Sequence, residues 1–311
     1  VGAYQAVAAD PDLRTAHGLL IVKDGWVVGE GYFNGWSRER PKHVKSVTKS
    51  VLSLLIGIAI DEGRITGPEQ KLSAFYPQLL EPGVDPRKRD IALSHALSMS
   101  TGLKWLENME GFLNISWDPN LMFVAPDPAA YVLSRPMEDI PGGHLHYSSG
   151  SSQLLAVVLH KATGQTPLQY ARQKLFDPLA IPDPAWRGGR DGLNWGGVGL
   201  HLTVHDMAKI GQLTLQRGVW GKKRIVSEDW LAISTREHMV GHPHQRYGFH
   251  WWTSSSGWSA QGYGGQYIFV RPAERLVVVF IAREDTPVHI DARKIEMLIE
   301  QDIVPALTHA D

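Results

Sequence analysis

The chain of 311 residues contains no cysteine. Disulfides, thiolate catalysis and cysteine-ligated zinc are therefore excluded, although the compartment is not fixed, since reducing and oxidising settings both tolerate the absence. No apolar run is long enough for a bilayer. The longest, Val51 to Ile60, is roughly half of the ~20 residues that a span needs. An excess of charge of one sign is also missing: 31 Lys plus Arg stand against 32 Asp plus Glu, a net charge of −1, which leaves no electrostatic footprint for nucleic acid. The one basic cluster, Pro86-Arg87-Lys88-Arg89, is followed by Asp90 and reads as a solvated loop. There is no internal repeat, no low-complexity tract, no Gly-x-Ser-x-Gly elbow, no P-loop, no complete Gly-x-Gly-x-x-Gly and no His-Glu-x-x-His.

What is present is a hydrophobic content of 43% with eleven tryptophans, the composition of a folded globule. Residues 17–33 read as a hairpin about Asp24-Gly25, a strong turn signal. An apolar stretch opening near Ser46 reads as a helix buried on nearly all sides and stopped at Gly63. From about 64 to 145 nine prolines break the chain into short helices, near 91–98 and 128–134, and long loops of the kind that carry function. Helices are expected over 149–163, 167–176 and from Thr203 to about 216, the last opened by a capping box with Asp206 in the Glu position, and another at Ser227. Strands are expected at 247–252, 258–262, 266–270 and 276–281, then a last helix over about 288–305. Strands at both ends with helices between predict an α+β fold, an antiparallel sheet flanked by helices. Its expected division is an α/β sandwich domain, 1–65 and 190–311, around a mostly helical inserted domain, 66–189.

Three segments carry candidate chemistry. In Ser46-Val47-Thr48-Lys49 a helix sets the serine and the lysine side by side. Burial disfavours the charged form of an amine, and a neutral amine beside a hydroxyl is a base beside a nucleophile. Such a pair arises about once by chance in a chain this long, so its weight depends on the other two. Tyr147-Ser148-Ser149 follows a glycine-rich approach and brings a phenol that can relay a proton. Gly262-Tyr263-Gly264-Gly265-Gln266 enters an apolar strand, where glycines allow close backbone approach and a free amide can serve an oxyanion hole. Trp105, Phe112, Trp117 and Phe123, in the long loops, are candidates for pocket walls. His144-Leu145-His146 and His242-Pro243-His244 invite a metal reading but lack a third ligand nearby, so no metal is expected. His146 is also a candidate neighbour acting on Tyr147.

In order and spacing these segments resemble the signature of penicillin-recognising serine enzymes. Within them the chain looks like the class C β-lactamase-related branch, which also holds esterases, D-aminopeptidases and hydrolases of 6-aminohexanoate oligomers. Residues 91–103 and Gly196-Gly197-Val198-Gly199-Leu200-His201-Leu202-Thr203 are similar to the family's loop before the pocket and its segment before the next helix, so the resemblance covers essentially the whole chain. It implies a β-lactamase/transpeptidase-like fold. It also implies Ser46 as nucleophile, Lys49 and Tyr147 sharing acid–base duty, and the amides of Ser46 and Gln266 as the oxyanion hole. No cofactor is implied. Substrate contacts would fall to Ser149, Tyr263, Gly264 and Gly265, with Trp105 and Trp117 from the loops.

Two positions depart from the pattern. Ser149 stands where the family has an asparagine, and Tyr263 where it has a lysine that holds a substrate carboxylate. Loss of that cation costs about 1–3 kcal/mol for an anionic substrate, roughly tenfold to a hundredfold in affinity. The expected partner is accordingly a small neutral or differently charged ester or amide. Two alternatives stand beside it: a true β-lactamase or D,D-peptidase, and a non-catalytic binding or sensor domain on the same scaffold. The chain begins at Val1, as a processed or trimmed product would, and expectation leans to the periplasm or exterior over the cytoplasm. Oligomeric state is left open.

Overall fold

The structure is a computed structural model, and it describes residues 2–107, 116–241, 246–283 and 290–308. Its centre is an eight-stranded sheet: β1 (Ala16–Lys23), β2 (Trp26–Tyr32), β3 (Met239–Val240), β4 (Arg246–Tyr247), β5 (Trp252–Ser254), β6 (Gly257–Gly262), β7 (Gln266–Arg271) and β8 (Leu276–Ala282). The spatial order is β2-β1-β8-β7-β6-β5-β4-β3, with every neighbouring pair antiparallel. The strands from the two ends of the chain meet at β1 and β8. Both are almost wholly buried because helices cover both faces of the sheet there. Asp24 and Gly25 both have positive φ, 53° and 83°, as the two-residue turn of a right-twisted hairpin requires.

One face of the sheet carries α1 (Gly2–Ala9) and α5 (Ala292–Leu298), packed through Val7, Phe280, Ile295 and Leu298. The other carries the larger core, built on α2 (Val47–Asp61), α3 (Ser149–Thr163) and α4 (Val204–Leu215). In α2 every residue from Val47 to Ala59 is buried, which is why its sequence lacks the polar face of a surface helix. Gly164 ends α3 in the left-handed conformation, φ 73°. Thr203 and Asp206 close a reciprocal capping box at the start of α4. No helix among the described residues is long and apolar enough to cross a membrane.

Two of the features that differ from expectation bear on the site. The single strand expected over 247–252 is broken between β4 and β5. Phe249 donates its amide to the Ser234 carbonyl and His250 to the Leu97 carbonyl, and His250 has φ 64°, so the chain leaves the sheet and returns. The other is a small sheet that sequence reasoning did not foresee. Lys42–His43 pairs with Leu200–Leu202, which pairs with Ala185–Trp186. Strands of two or three residues carry no legible alternation, yet this sheet holds the chain just before Ser46.

Candidate active site

Ser46 occupies the N-cap position of α2. The turn that presents it is strained: Lys45 has φ 52°, a region that costs a non-glycine residue on the order of 1–2 kcal/mol. The strain is braced on both sides. Val44 donates its amide to the Leu200 carbonyl at 2.9 Å, and Thr48 Oγ1 donates to the Lys45 carbonyl at 2.6 Å. The Ser46 amide donates to no protein acceptor among the described residues, so this N–H is available to a ligand.

Lys49 is buried, at 1% exposure. Its Nζ lies 3.0 Å from Ser46 Oγ, 3.0 Å from Ser149 Oγ and 3.1 Å from the Gly197 carbonyl. Three elements supply these partners: α2, the start of α3, and the chain leading into Leu200–Leu202. A Cβ on Gly197 would lie 3.1 Å from Lys49 Nζ and from Ser149 Oγ, so a larger residue would press on the amine.

Tyr147 precedes α3, with its ring centroid 4.8 Å from Lys49 Nζ. Its ring stacks on Trp252 at 6.0 Å and meets the edge of Tyr247 at 6.2 Å. Aromatic residues from β4 and β5 therefore form a wall behind the phenol. Burial first, then the charges of Tyr147 and Glu107, push the Tyr247 phenol well above its ordinary range. The Tyr147 phenol makes no hydrogen bond to protein among the described residues.

The glycine-rich segment forms the three-residue loop of the β6–β7 hairpin, with Gly264 at φ 78° and Gly265 at φ 89°, values for which glycine is the default. Gly262 lies against the turn that carries Ser46. A Cβ there would be 2.4 Å from the Val44 carbonyl oxygen and 3.1 Å from Lys45 Cβ. Gln266 is fully buried and braces the loop, its Nε2 donating to the Gly264 carbonyl at 3.1 Å and the Ala282 carbonyl at 3.0 Å. Tyr263 is half-buried at the tip.

The other candidates fall in varied places. Ser149 is buried, and its hydroxyl already binds Lys49 and Glu107. Trp105 is 2% exposed and donates its indole N–H to Glu107, so it backs the site. Trp117 and Phe123 are half-buried, and Phe123 packs edge-on against Trp195 at 4.7 Å. His144 pairs with Asp139, while His146 has an exposed side chain and an amide tied to the Met99 carbonyl. Phe112, His242 and His244 lie outside the described residues. Among the described residues no three His, Cys, Asp or Glu side chains converge as a metal site would need.

Two residues at the site escaped sequence reasoning. Glu107 has no motif of its own. His250 is fully buried between Leu97, α2 and α3. Its Nδ1 is 2.9 Å from the Leu97 carbonyl, which only accepts, so Nδ1 carries the proton. Nε2 then accepts from Ser152 Oγ at 3.0 Å, and the His250 carbonyl accepts from Ser50 Oγ at 2.6 Å. Burial, with Lys49 close by, pulls its pKa down to about 3. His43, just before the strained turn, is likewise pulled down to about 3, by burial first and Lys45 second. It accepts from the Gly199 amide at 3.1 Å and stacks on His201.

A protein-family model described as Beta-lactamase matches residues 6–300. Over 304 residues the chain is 25% identical to the 6-aminohexanoate-dimer hydrolase of Paenarthrobacter ureafaciens, a match covering 86% of this chain and 73% of that one. Among solved structures, a Bacillus anthracis protein provisionally named a 6-aminohexanoate-dimer hydrolase superposes with a TM-score of 0.81 at 20% identity, covering 96% of this chain and 81% of that one. The octameric penicillin-binding protein homologue of Pyrococcus abyssi superposes at 0.74 and 18% identity, over 98% and 77% of the two chains. A hydrolase with promiscuous acyltransferase activity, a family VIII carboxylesterase and a D-stereospecific amidohydrolase share the fold as well. At these identities the structural matches establish the β-lactamase/transpeptidase-like fold.

Proposed function

This chain belongs to the beta-lactamase family, whose fold is shared by esterase and amidohydrolase enzymes, and from that premise we propose that it is a serine hydrolase cleaving a small ester or amide through an acyl-enzyme on Ser46. The observation that carries the reading is the contact of 3.0 Å between the buried Lys49 amine and Ser46 Oγ, with a phenol alongside. In the reaction Ser46 Oγ attacks the substrate carbonyl while its proton passes to the lone pair of Lys49 as free base. The tetrahedral oxyanion is held by the Ser46 amide and by the Gln266 amide across the hairpin. Collapse expels the leaving alcohol or amine, which takes a proton from the Lys49–Tyr147 pair. Water then attacks the acyl-enzyme along the reverse proton route and regenerates Ser46.

Amides and esters that carry no carboxylate at the Tyr263 end fit best, because Tyr263 brings no cation there. The curated relative from Paenarthrobacter, named for hydrolysis of a 6-aminohexanoate dimer, makes linear aminoalkanoyl amides the first series to assay, beside p-nitrophenyl esters of rising acyl length. The test is covalent labelling. A fluorophosphonate should add to Ser46 in the wild-type protein and fail to add in Ser46→Ala, with hydrolysis lost in parallel. Hydrolysis that persists in purified Ser46→Ala protein refutes the assignment. Rapid nitrocefin turnover would instead favour a true β-lactamase. Inertness of the folded protein towards esters, amides and β-lactams alike would favour a binding role.

A further inference from the structure

We propose that Glu107 is a positioning residue that sets the hydrogen-bond polarity of the site, so that the lone pair of Lys49 can face only Ser46; the proposal rests on the Ser46 assignment above. A carboxylate accepts hydrogen bonds and cannot donate them. Glu107 Oε1 lies 2.6 Å from Ser149 Oγ, and Oε2 lies 2.6 Å from both the Ser149 amide and Trp105 Nε1. The Ser149 hydroxyl proton is therefore committed to Glu107. Towards Lys49 the same oxygen offers only a lone pair, at 3.0 Å, and the Gly197 carbonyl also offers only lone pairs, at 3.1 Å.

As a free base Lys49 has two N–H bonds and one lone pair. Both N–H bonds are drawn to Ser149 and Gly197, which leaves the lone pair for the proton of Ser46. As an ammonium, Lys49 has three N–H bonds for three acceptors. The polarity of the network thus suits the amine both before and after it takes the proton.

The mounting of Glu107 is rigid. Trp105 is buried against Gly150, where a Cβ would lie 2.7 Å from the indole ring. The Leu106 amide donates to the buried carboxylate of Asp118 at 2.5 Å, and the Asp118 amide donates to the Leu106 carbonyl at 3.1 Å. Tyr131 and Arg135 hold Asp118 from the other side.

Glu107→Gln is nearly isosteric, yet it reverses the logic. Two donors, the Ser149 amide and Trp105 Nε1, converge on the Oε2 position, so the glutamine must place its carbonyl oxygen there. Its NH₂ then faces Ser149 Oγ and donates to it. The displaced Ser149 proton turns to Lys49 and competes with Ser46 for the lone pair.

The experiment is the pH-dependent rate of fluorophosphonate labelling of Ser46 in wild type, Glu107→Gln, Ser149→Ala and the double variant, each checked by thermal melting. Attack by Ser46 Oγ forms the O–P bond, fluoride leaves, and the serine proton goes to Lys49. We expect Glu107→Gln to slow labelling about ten- to a hundredfold at unchanged melting temperature. In the Ser149→Ala background, which has no hydroxyl left to turn, we expect it to slow labelling less than about threefold. Glu107→Asp, which keeps an acceptor-only group, should retain more activity than Glu107→Gln and provides the comparison if the glutamine variant fails to fold. A wild-type rate and pH profile in Glu107→Gln, an equal loss in both backgrounds, or a Glu107→Asp variant no faster than Glu107→Gln overturns the proposal. Absence of labelling in the wild type overturns the Ser46 assignment itself, a distinct result that removes the proposal with it.

Discussion

Acidification should destabilise the protein through His250, and the size of the effect follows from its surroundings. The imidazole is buried, with Nδ1–H given to Leu97 and Nε2 accepting from Ser152. Its pKa is lowered to about 3 by burial and by Lys49, whereas an unfolded histidine titrates near 6.5. Between these values the unfolded chain binds a proton that the folded chain refuses. The stabilisation is thus complete above about pH 6.5 and is lost as pH falls towards about 3, at a slope of about 1.4 kcal/mol per pH unit. From pH 7 to pH 5 the loss from this one group is on the order of 2 kcal/mol. His250→Asn isolates it. Asparagine tolerates the positive φ of 64° at this position, can offer an amide proton to Leu97, and does not titrate. The variant should be less stable than wild type at pH 7, yet lose about 2 kcal/mol less on going to pH 5, because the other titrating groups cancel in the comparison. Urea unfolding curves at the two pH values measure both quantities. An equal loss in wild type and variant, or an imidazole resonance of His250 that titrates near 6.5 in the folded protein, would refute the argument.

Two substitutions test the packing and the specificity. Gly57→Ala should destabilise the protein by on the order of 2 kcal/mol, because the new Cβ would lie 2.2 Å from the Trp230 ring, a clash larger than the ~1 kcal/mol that alanine gains in a helix; an unchanged or raised melting temperature would contradict this. Tyr263→Lys restores a cation at the hairpin tip, so a penicillin competing with the fluorophosphonate should bind about tenfold to a hundredfold more tightly, while KM for a neutral ester stays near the wild-type value. Equal penicillin competition in both proteins would remove Tyr263 from the explanation of substrate choice.

The long strands of the large sheet, β1, β2 and β6 to β8, were legible because they are bounded by turn residues and mostly apolar, whereas β3, at two residues, was not. Asp24-Gly25 marked one hairpin, and the runs at 266–270 and 276–281 marked another pair. The helices over Val47–Asp61 and Ser149–Thr163 were legible for similar reasons, an apolar run and glycine stops. The β4–β5 break was not, because its cause is distant: Leu97 and Ser234 draw the intervening amides out of the sheet.

At the candidate site, Ser46 and Lys49 are joined by a local rule, since residues three apart share a helix face. Sequence alone therefore determined that hydroxyl and amine would be neighbours, and it determined the chemistry that can be asked of them. It also marked Tyr147 and the glycine-rich segment 262–266 as candidates. Only the tertiary structure decided where each one points. Lys49 receives Ser149 from α3 and Gly197 from a separate loop, contacts separated by 100 and 148 positions. Glu107 and His250 enter through hydrogen bonds that span 42 and 98 positions. Hydrogen-bond polarity and desolvation are properties of what surrounds a group in space, and a linear chain does not encode them in any short stretch that can be read.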